Sequence, residues 1–261
     1  MVRVIATDAD RNRSILYSLE GGSKVVKLVQ VDNSTGQVVV LGRVDRETIP
    51  WLNFTIRATD SGVPSRSSVT SVRVQVLDEN DNTPVFINTP AKVVVKEDAK
   101  AGHVVTMVHA EDKDSGEYGK VRYFLDPSSS DSKFLIDSIT GRISVAAELD
   151  RETKEEYTLL VQAYDNYQYG FTTGDSRNSF VQIKVVLADV NDSPPVMEEV
   201  PTSCTTITEF HPTTEPILRV RATDKDDPKS PNGRVVFSIV QGDGEDLFRL
   251  EAGPGKGHSP Y

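Results

Sequence analysis

The stretch Asp78-Glu79-Asn80-Asp81-Asn82, followed by Thr83-Pro84, recurs in altered form as Asp189-Val190-Asn191-Asp192-Ser193, followed by Pro194-Pro195. The second copy begins 111 residues after the first (189 − 78). Proline fixes φ and favours extended backbone in the residue before it, so each copy leads into a new extended segment. A motif that returns at such a spacing indicates a chain built from repeats, with these pentapeptides at the boundaries.

Other short motifs recur at nearly the same spacing. Asp45-Arg46-Glu47 returns as Asp150-Arg151-Glu152, and Thr35-Gly36 returns as Thr140-Gly141, each after 105 residues (150 − 45 and 140 − 35). An Asp-x-Asp motif occurs three times, starting at Asp8, Asp112 and Asp224. The repeating unit is therefore about as long as a small β-sandwich domain.

These boundaries predict three domains, at residues 1–83, 84–193 and 194–261. Only the middle domain holds a full copy of the repeat. We expect the first domain to lack its opening strand and the third to lack its later strands. The chain is then a piece of a longer protein.

Hydropathy alternates with a period of two within each repeat. Residues 71–76 read Ser-Val-Arg-Val-Gln-Val, and residues 180–185 read Phe-Val-Gln-Ile-Lys-Val. No stretch of ten or more residues shows the apolar stripe of an amphipathic helix. Short alternating runs separated by turn residues predict an all-β fold in which each repeat is a β-sandwich.

Composition excludes several classes of protein. The 261 residues include 29 basic and 39 acidic side chains, a formal charge of −10, which argues against a nucleic-acid partner. No run approaches about 18 apolar residues, and Met1–Asp10 shows no signal-peptide pattern. The single cysteine, Cys204, cannot form an internal disulfide framework.

The recurring residues are mostly carboxylates and amides, which are oxygen donors. Ca²⁺ takes six to eight oxygen ligands from carboxylates, amides and backbone carbonyls. Six or more carboxylates gathered without a cation would repel one another strongly. The motifs therefore predict cation sites at the boundaries. A glycosidase would need two carboxylates about 5–10 Å apart in a cleft with aromatic residues, and few aromatic residues accompany these acids, so we expect no enzyme.

In this order and combination, the motifs resemble those of the cadherin family, and the resemblance covers nearly the whole chain. It implies tandem seven-stranded Greek-key β-sandwiches with up to three Ca²⁺ ions at each boundary. At the first boundary it implies the ligands Asp45, Glu47, Asp78, Glu79, Asn80, Asp81, Asn82, Asp112, Asp114, Tyr118 and Asp165. At the second boundary it implies Glu97, Asp150, Glu152, Asp189, Val190, Asn191, Asp192, Ser193, Asp224, Asp226 and Asn232.

Two positions depart from the family pattern, and both serve through backbone oxygens. Tyr118 and Ser193 stand where asparagine is usual, so neither change need abolish a ligand. The loop after Asp226 carries extra residues before Asn232, where the resemblance implies the backbone ligand. The first repeat has no equivalent of Glu97, so we predict that the second boundary binds two of its ions better than the first.

The resemblance also implies a function, which is calcium-dependent cell–cell adhesion by the ectodomain of a single-pass membrane protein. The partner would be another cadherin, in homophilic or heterophilic contact, with cytoplasmic adaptor proteins inside the cell. The extra loop residues suggest a large, non-desmosomal member similar to Fat, Dachsous, protocadherin-like or invertebrate neural cadherins. The alternative is a signalling receptor ectodomain that binds a soluble ligand. Sequons predict glycosylation, if the protein is secreted, at Asn12, Asn33 and Asn53.

Overall fold

A computed structural model of the chain describes residues 2–9, 14–168, 174–198, 205–240 and 247–251. The chain divides into two compact units. The first unit comprises Met1–Ile87, His109–Tyr123 and Gln162–Phe180. The second comprises Asn88–Val108, Phe124–Val161 and Val181–Tyr261. The three-domain division of the sequence stays a prediction.

Strands account for nearly all of the regular structure, as the period-two pattern predicts. The strands are β1 (Val2–Arg3), β2 (Ile15–Glu20), β3 (Val29–Val31), β4 (Gln37–Val40), β5 (Trp51–Asp60), β6 (Ser67–Gln75), β7 (Val85–Ile87), β8 (Lys92–Lys96), β9 (Val104–Met107), β10 (His109–Glu111), β11 (Arg122–Leu125), β12 (Phe134–Ile136), β13 (Arg142–Val145), β14 (Glu156–Tyr164), β15 (Asn178–Ala188), β16 (Val196–Met197) and β17 (Ala222–Thr223). The described helices are α1 (Ser23–Leu28) and α2 (Pro127–Ser130). Neither of these short helices is long enough to cross a membrane.

The first unit contains two three-stranded sheets around one apolar core. Their strand orders are β1-β4-β3 and β2-β5-β6. Both sheets contribute buried side chains, such as Val31 and Val38 from one and Leu52 and Phe54 from the other. Alternate residues of a strand point to opposite faces, so the apolar positions of the period-two pattern line the interior. The two sheets therefore form a β-sandwich.

The second unit holds a three-stranded sheet with the order β12-β13-β9. A four-stranded sheet has the order β11-β14-β15-β8, so β8 is its edge strand and pairs with β15. β15 and β8 are parallel, with Lys184 opposite Lys92 and Ala188 opposite Lys96. The ring of Phe134 meets that of Tyr157 edge-on at a centroid distance of 5.1 Å, a favoured aromatic geometry. The sequence predicts an all-β chain, and the strands confirm it.

The repeated Thr-Gly motif forms the same turn in both units. Asp32 and Asp137 each accept hydrogen bonds from the threonine three residues on, and the following glycines have φ of +69°. A Cβ atom on Gly36 would lie 2.2 Å from the carbonyl oxygen of Val4. Glycine is therefore required at this position both for its conformation and for the close approach of Val4, which directly follows β1.

Candidate cation-binding sites

Each Asp-Arg-Glu motif forms a tight turn that its aspartate stabilises. Asp45 accepts a hydrogen bond from the Thr48 hydroxyl at 2.7 Å, and Asp150 accepts the same bond from Thr153 at 2.7 Å. These bonds hold the pKa of Asp45 and of Asp150 below its ordinary value. Both aspartates are thus used in forming the turn, and the structure does not bring either into the groups of converging carboxylates described below.

The first acidic cluster is formed by Glu47, Asp78, Asn80, Asp81, Asn82, Asp112, Asp114 and Asp165, all within the first unit. Carboxylate oxygens of Glu47, Asp81 and Asp114 lie within 4.8 Å of one another. Those of Asp112, Asp114 and Asp165 do the same. Asp114 belongs to both groups, and it is buried together with Asp165. Sequence reasoning predicted all of these residues, and the fold brings them together.

Asparagine side chains hold the boundary segment against these aspartates. Asn82 donates its backbone N–H to Asp114 Oδ2 at 3.1 Å and its side-chain amide to Asp114 Oδ1 at 2.5 Å. Asn80 donates its amide to Asp165 Oδ1 at 3.1 Å. Arg177 adds a link that the sequence did not reveal, since its Nε donates to the Asn80 carbonyl at 3.0 Å. The segment is therefore fixed beside the aspartates through both side chain and backbone.

Five buried oxygens of this cluster accept no hydrogen bond. They are Glu47 Oε1, Asp78 Oδ1, Asn80 Oδ1, Asp112 Oδ2 and Asp165 Oδ2. Burial raises the pKa of Asp112, and the neighbouring Asp114 and Asp165 carboxylates raise it further. Burial likewise raises the pKa of Asp165. Arginines lie near these carboxylates. Arg46 Nη1 is 3.5 Å from Asp78 Oδ1 and 3.8 Å from Glu47 Oε1, and Arg43 Nη2 is 3.8 Å from Asp81 Oδ2. The cluster thus holds several buried oxygens without hydrogen bonds beside carboxylates that accept them.

The second acidic cluster is formed by Glu97, Glu152, Asp189, Asp192, Asp224 and Asp226, all within the second unit. One converging group is Glu97, Glu152 and Asp192, and the other is Glu152, Asp189 and Asp226, each within 4.8 Å. Burial, together with the carboxylates of Glu97 and Asp192, raises the pKa of Glu152 to about 7. Glu152 Oε1 and Asp226 Oδ2 are buried and accept no hydrogen bond.

Glu97, which directly follows strand β8, is hydrogen-bonded to the boundary segment of this cluster. Glu97 is buried, and its Oε1 accepts the Val190 N–H at 2.6 Å while its Oε2 accepts the Arg151 N–H at 2.7 Å. Ser193 donates its N–H to Asp226 Oδ1 at 3.1 Å, as Asn82 does to Asp114 in the first cluster. The two clusters are therefore built on the same backbone plan.

The remaining predicted ligands lie at the edges of the clusters. The side chains of Glu79 and Asn191 are exposed. Asp224 accepts the Asp226 N–H at 3.0 Å, and the Val190 carbonyl accepts the Asp192 N–H at 2.9 Å. Of the predicted sequons, Asn33 and Asn53 are exposed. Asn12 and Cys204 lie outside the described residues.

Two glycines set the shape of the loops after the Asp-x-Asp motifs, and sequence reasoning missed their role. A Cβ atom on Gly119 would lie 2.0 Å from the carbonyl oxygen of Asp114. A Cβ atom on Gly233 would lie 2.5 Å from that of Asp226. Both loops therefore return onto the buried aspartate directly after Tyr118 and Asn232, the two predicted backbone ligands. The sequence offered one signal for this role, because Tyr118 and Asn232 are each followed by glycine.

Replacing Gly119 by alanine is expected to displace its loop, because the new methyl group would overlap backbone rather than a movable side chain. Overpacking of this kind typically destabilises by about 1–3 kcal/mol. Thermal unfolding in chelator checks the loss of stability. The matched control is Gly116→Ala, since a Cβ atom at Gly116 meets nothing within 4 Å, although its φ of +62° adds some strain. Equal losses of thermal stability in Gly119→Ala and Gly116→Ala would contradict the view that the close approach to Asp114 requires glycine at position 119.

Strands, sheets and clusters together define a repeat protein built of β-sandwich modules with oxygen-rich clusters beside its Asp/Asn-rich segments. The chain belongs to the cadherin family, because the family model described as Cadherin domain matches residues 1–77 and 91–187. This membership confirms the prediction of all-β cadherin repeats. It also confirms the expectation that the chain is not an enzyme.

Similar proteins agree with this assignment. The chain is 34% identical to human Cadherin-23 over 257 residues, which is 98% of this chain and 7% of that protein. It is 37% identical to mouse Protocadherin Fat 4 over 252 residues, which is 95% of this chain and 5% of that protein. A crystal structure of mouse Cadherin-23 EC22-24 matches with a TM-score of 0.76 and 36% identity, covering 89% of this chain and 72% of that one. These similarities confirm the predicted resemblance to large, non-desmosomal cadherins.

Proposed function

We propose that this chain is part of the extracellular portion of a cell-adhesion protein and that its two acidic clusters bind Ca²⁺. The observation that carries the proposal is the set of buried oxygens without hydrogen bonds, five in the first cluster and two in the second. Each buried oxygen left without a partner costs about 1–3 kcal/mol, and gathered carboxylates repel one another. A hard divalent cation relieves both effects at once, since it takes six to eight oxygen ligands.

The chain's own residues supply such a ligand set in each cluster. In the first cluster the side-chain ligands would be Glu47, Asp78, Asn80, Asp81, Asp112, Asp114 and Asp165, with backbone oxygens of Glu79, Asn82 and Tyr118. In the second they would be Glu97, Glu152, Asp189, Asp192, Asp224 and Asp226, with backbone oxygens of Val190, Ser193 and Asn232. The bound cation supplies positive charge that neutralises the carboxylates. The hydrogen bonds from Asn80 and Asn82 orient them beforehand.

Cation binding at the boundary segments would hold consecutive repeats in a fixed orientation, as an adhesion ectodomain requires. Extracellular modules bind Ca²⁺ with dissociation constants of about 10⁻⁴–10⁻³ M, which suits calcium levels outside cells. The exposed sequons at Asn33 and Asn53 are compatible with secretion. The adhesive partner would be another cadherin ectodomain, and the whole protein would be anchored in the plasma membrane and linked to cytoplasmic adaptors.

Replacing Asp226 by asparagine is expected to weaken Ca²⁺ binding by the second cluster about tenfold or more, because a buried charged ligand becomes neutral. Calorimetric titration of the metal-stripped chain measures this. The matched control is Asp126→Asn, which removes one charge from the same unit at a residue whose carboxylate accepts hydrogen bonds from Ser128. Small-angle X-ray scattering with and without millimolar Ca²⁺ reports whether the calcium-bound chain is rigid and the calcium-free chain flexible.

Equal affinities of the two variants would contradict the assignment of Asp226 as a ligand. Mg²⁺ serves as the control cation, since its strict octahedral geometry at short distances fits such clusters poorly. Beads coated with the chain test adhesion directly, alone and against beads that carry a second cadherin ectodomain. Aggregation that EGTA reverses is the expected result.

A further inference from the structure

The first aspartate of the boundary segment is bonded differently in the two clusters. Asp78 Oδ2 accepts the backbone N–H and the hydroxyl of Ser115 at 2.7 and 2.9 Å, while Asp78 Oδ1 is buried and accepts no hydrogen bond. Asp189 Oδ1 accepts the Asp227 N–H at 2.9 Å. Asp189 Oδ2 accepts the Ser230 hydroxyl at 2.8 Å and the Asn232 amide at 2.9 Å. Both oxygens of Asp189 are therefore satisfied by the loop that follows Asp226.

Arg151 connects this loop to the second cluster by charge. Its Nη1 lies 3.5 Å from Asp189 Oδ1, and its Nη2 lies 3.4 Å from Asp227 Oδ2. The Arg151 and Asp189 side chains are 13% and 9% exposed, so solvent screens this pair less than an exposed one. The corresponding Arg46 lies 3.5 Å from Asp78. The first cluster has the neutral Ser115 where the second has Asp227, so its loop offers no charge at that position.

We propose that the loop Asp227–Asn232, together with Arg151, is a metal-independent tether that keeps the second cluster assembled when calcium is scarce. The proposal rests on the proposed calcium function of both clusters. Loss of the cation leaves Asp78 Oδ1 buried without a hydrogen bond, with the Arg46 guanidinium 3.5 Å away, and a buried oxygen without a hydrogen bond is unfavourable. Asp189 keeps its hydrogen bonds under the same conditions. The first cluster would therefore open at a calcium concentration at which the second stays closed.

Hydrogen exchange of the metal-stripped chain in EGTA, compared with millimolar CaCl₂, tests this difference. The amides to follow are Asn82 and Ser115 in the first cluster, and Ser193 and Asp227 in the second, because each donates to a cluster carboxylate. Chelation is expected to speed exchange about tenfold at the first pair and less than about threefold at the second, since exchange reports local opening. Equal acceleration at both pairs would overturn the tether.

A triple variant in EGTA examines the tether without any calcium. Asp227→Ser introduces serine, the residue that the first cluster has at the corresponding position, Ser115. Ser230→Ala and Asn232→Ala remove the two hydrogen bonds to Asp189 Oδ2. We expect exchange at Ser193 to rise about tenfold in EGTA, while exchange within β14 stays unchanged as a sign of intact folding. Unchanged exchange at Ser193 would overturn the tether. If adding CaCl₂ changes hydrogen exchange at neither cluster, the proposed calcium function is overturned. The exchange of the triple variant in EGTA still tests the tether in that case.

Discussion

Replacing Asp114 by alanine is expected to lower the Ca²⁺ affinity of the first cluster by about 100-fold or more. Asp114 is the one residue shared by the two converging groups of that cluster. Its loss removes a charged ligand from both groups, and each such interaction contributes about 1.5–3 kcal/mol. Two of them correspond to about two orders of magnitude in affinity. Hydrogen exchange at the boundary segment 78–82, followed through a calcium titration, measures the shift.

A second variant and a control separate ligand loss from loss of structure. Asp114 also accepts two hydrogen bonds from Asn82, so alanine removes these as well. Asp114→Asn keeps the size and one acceptor oxygen, and we expect an intermediate loss of affinity. Asp32→Ala removes the same charge from the same unit, at a carboxylate that serves only a turn. Calcium affinity that falls equally for Asp32→Ala and Asp114→Ala would contradict a ligand role for Asp114.

The members of both clusters could be predicted because their spacing repeats. The Asp-x-Asp and Asp-Arg-Glu motifs and the boundary pentapeptides mark which residues recur, and recurrence of oxygen donors points to cations. Spacing does not show which oxygens the backbone already uses. Asp45 and Asp150 recur as faithfully as Glu47 and Glu152, yet their oxygens stabilise the turns. Recurrence alone therefore does not separate a carboxylate that stabilises a turn from one that converges with other carboxylates.

Contacts between distant residues were also invisible in the sequence. Arg177 reaches the carbonyl of Asn80, 97 positions away, and Asn232 reaches Asp189, 43 positions away. The resemblance implies Asn232 as a backbone ligand, and the structure adds a hydrogen bond from its side chain to Asp189. Such contacts depend on how loops fold over the cluster. No local pattern encodes them, which is why the difference between the two clusters emerged only from the structure.

The stability of the calcium-free chain is expected to fall as pH rises from 4.5 to 7, because of Glu152. Burial and the carboxylates of Glu97 and Asp192 raise the Glu152 pKa from 4.5 to about 7 in the folded state. Between these values the folded state holds a proton that the unfolded state has released. Each unit of pH therefore removes about 1.4 kcal/mol from the free energy of unfolding, about 3 kcal/mol across the window.

Calcium is expected to reverse this trend, because its carboxylate ligands must be ionised before they bind. The stabilisation that calcium provides should therefore grow over the same window in which the calcium-free chain weakens. Urea unfolding at a series of pH values, in EGTA and in CaCl₂, measures both slopes. Glu152→Gln should flatten the slope in EGTA, whereas Glu148→Gln, at an exposed site of the same unit, should leave it unchanged. Matching slopes in EGTA for these two variants would show that Glu152 does not control the dependence of stability on pH. If the slope in EGTA is lost in Glu152→Gln and kept in Glu148→Gln, the fall in stability of the calcium-free chain with rising pH is due to the charge of Glu152 in the second cluster.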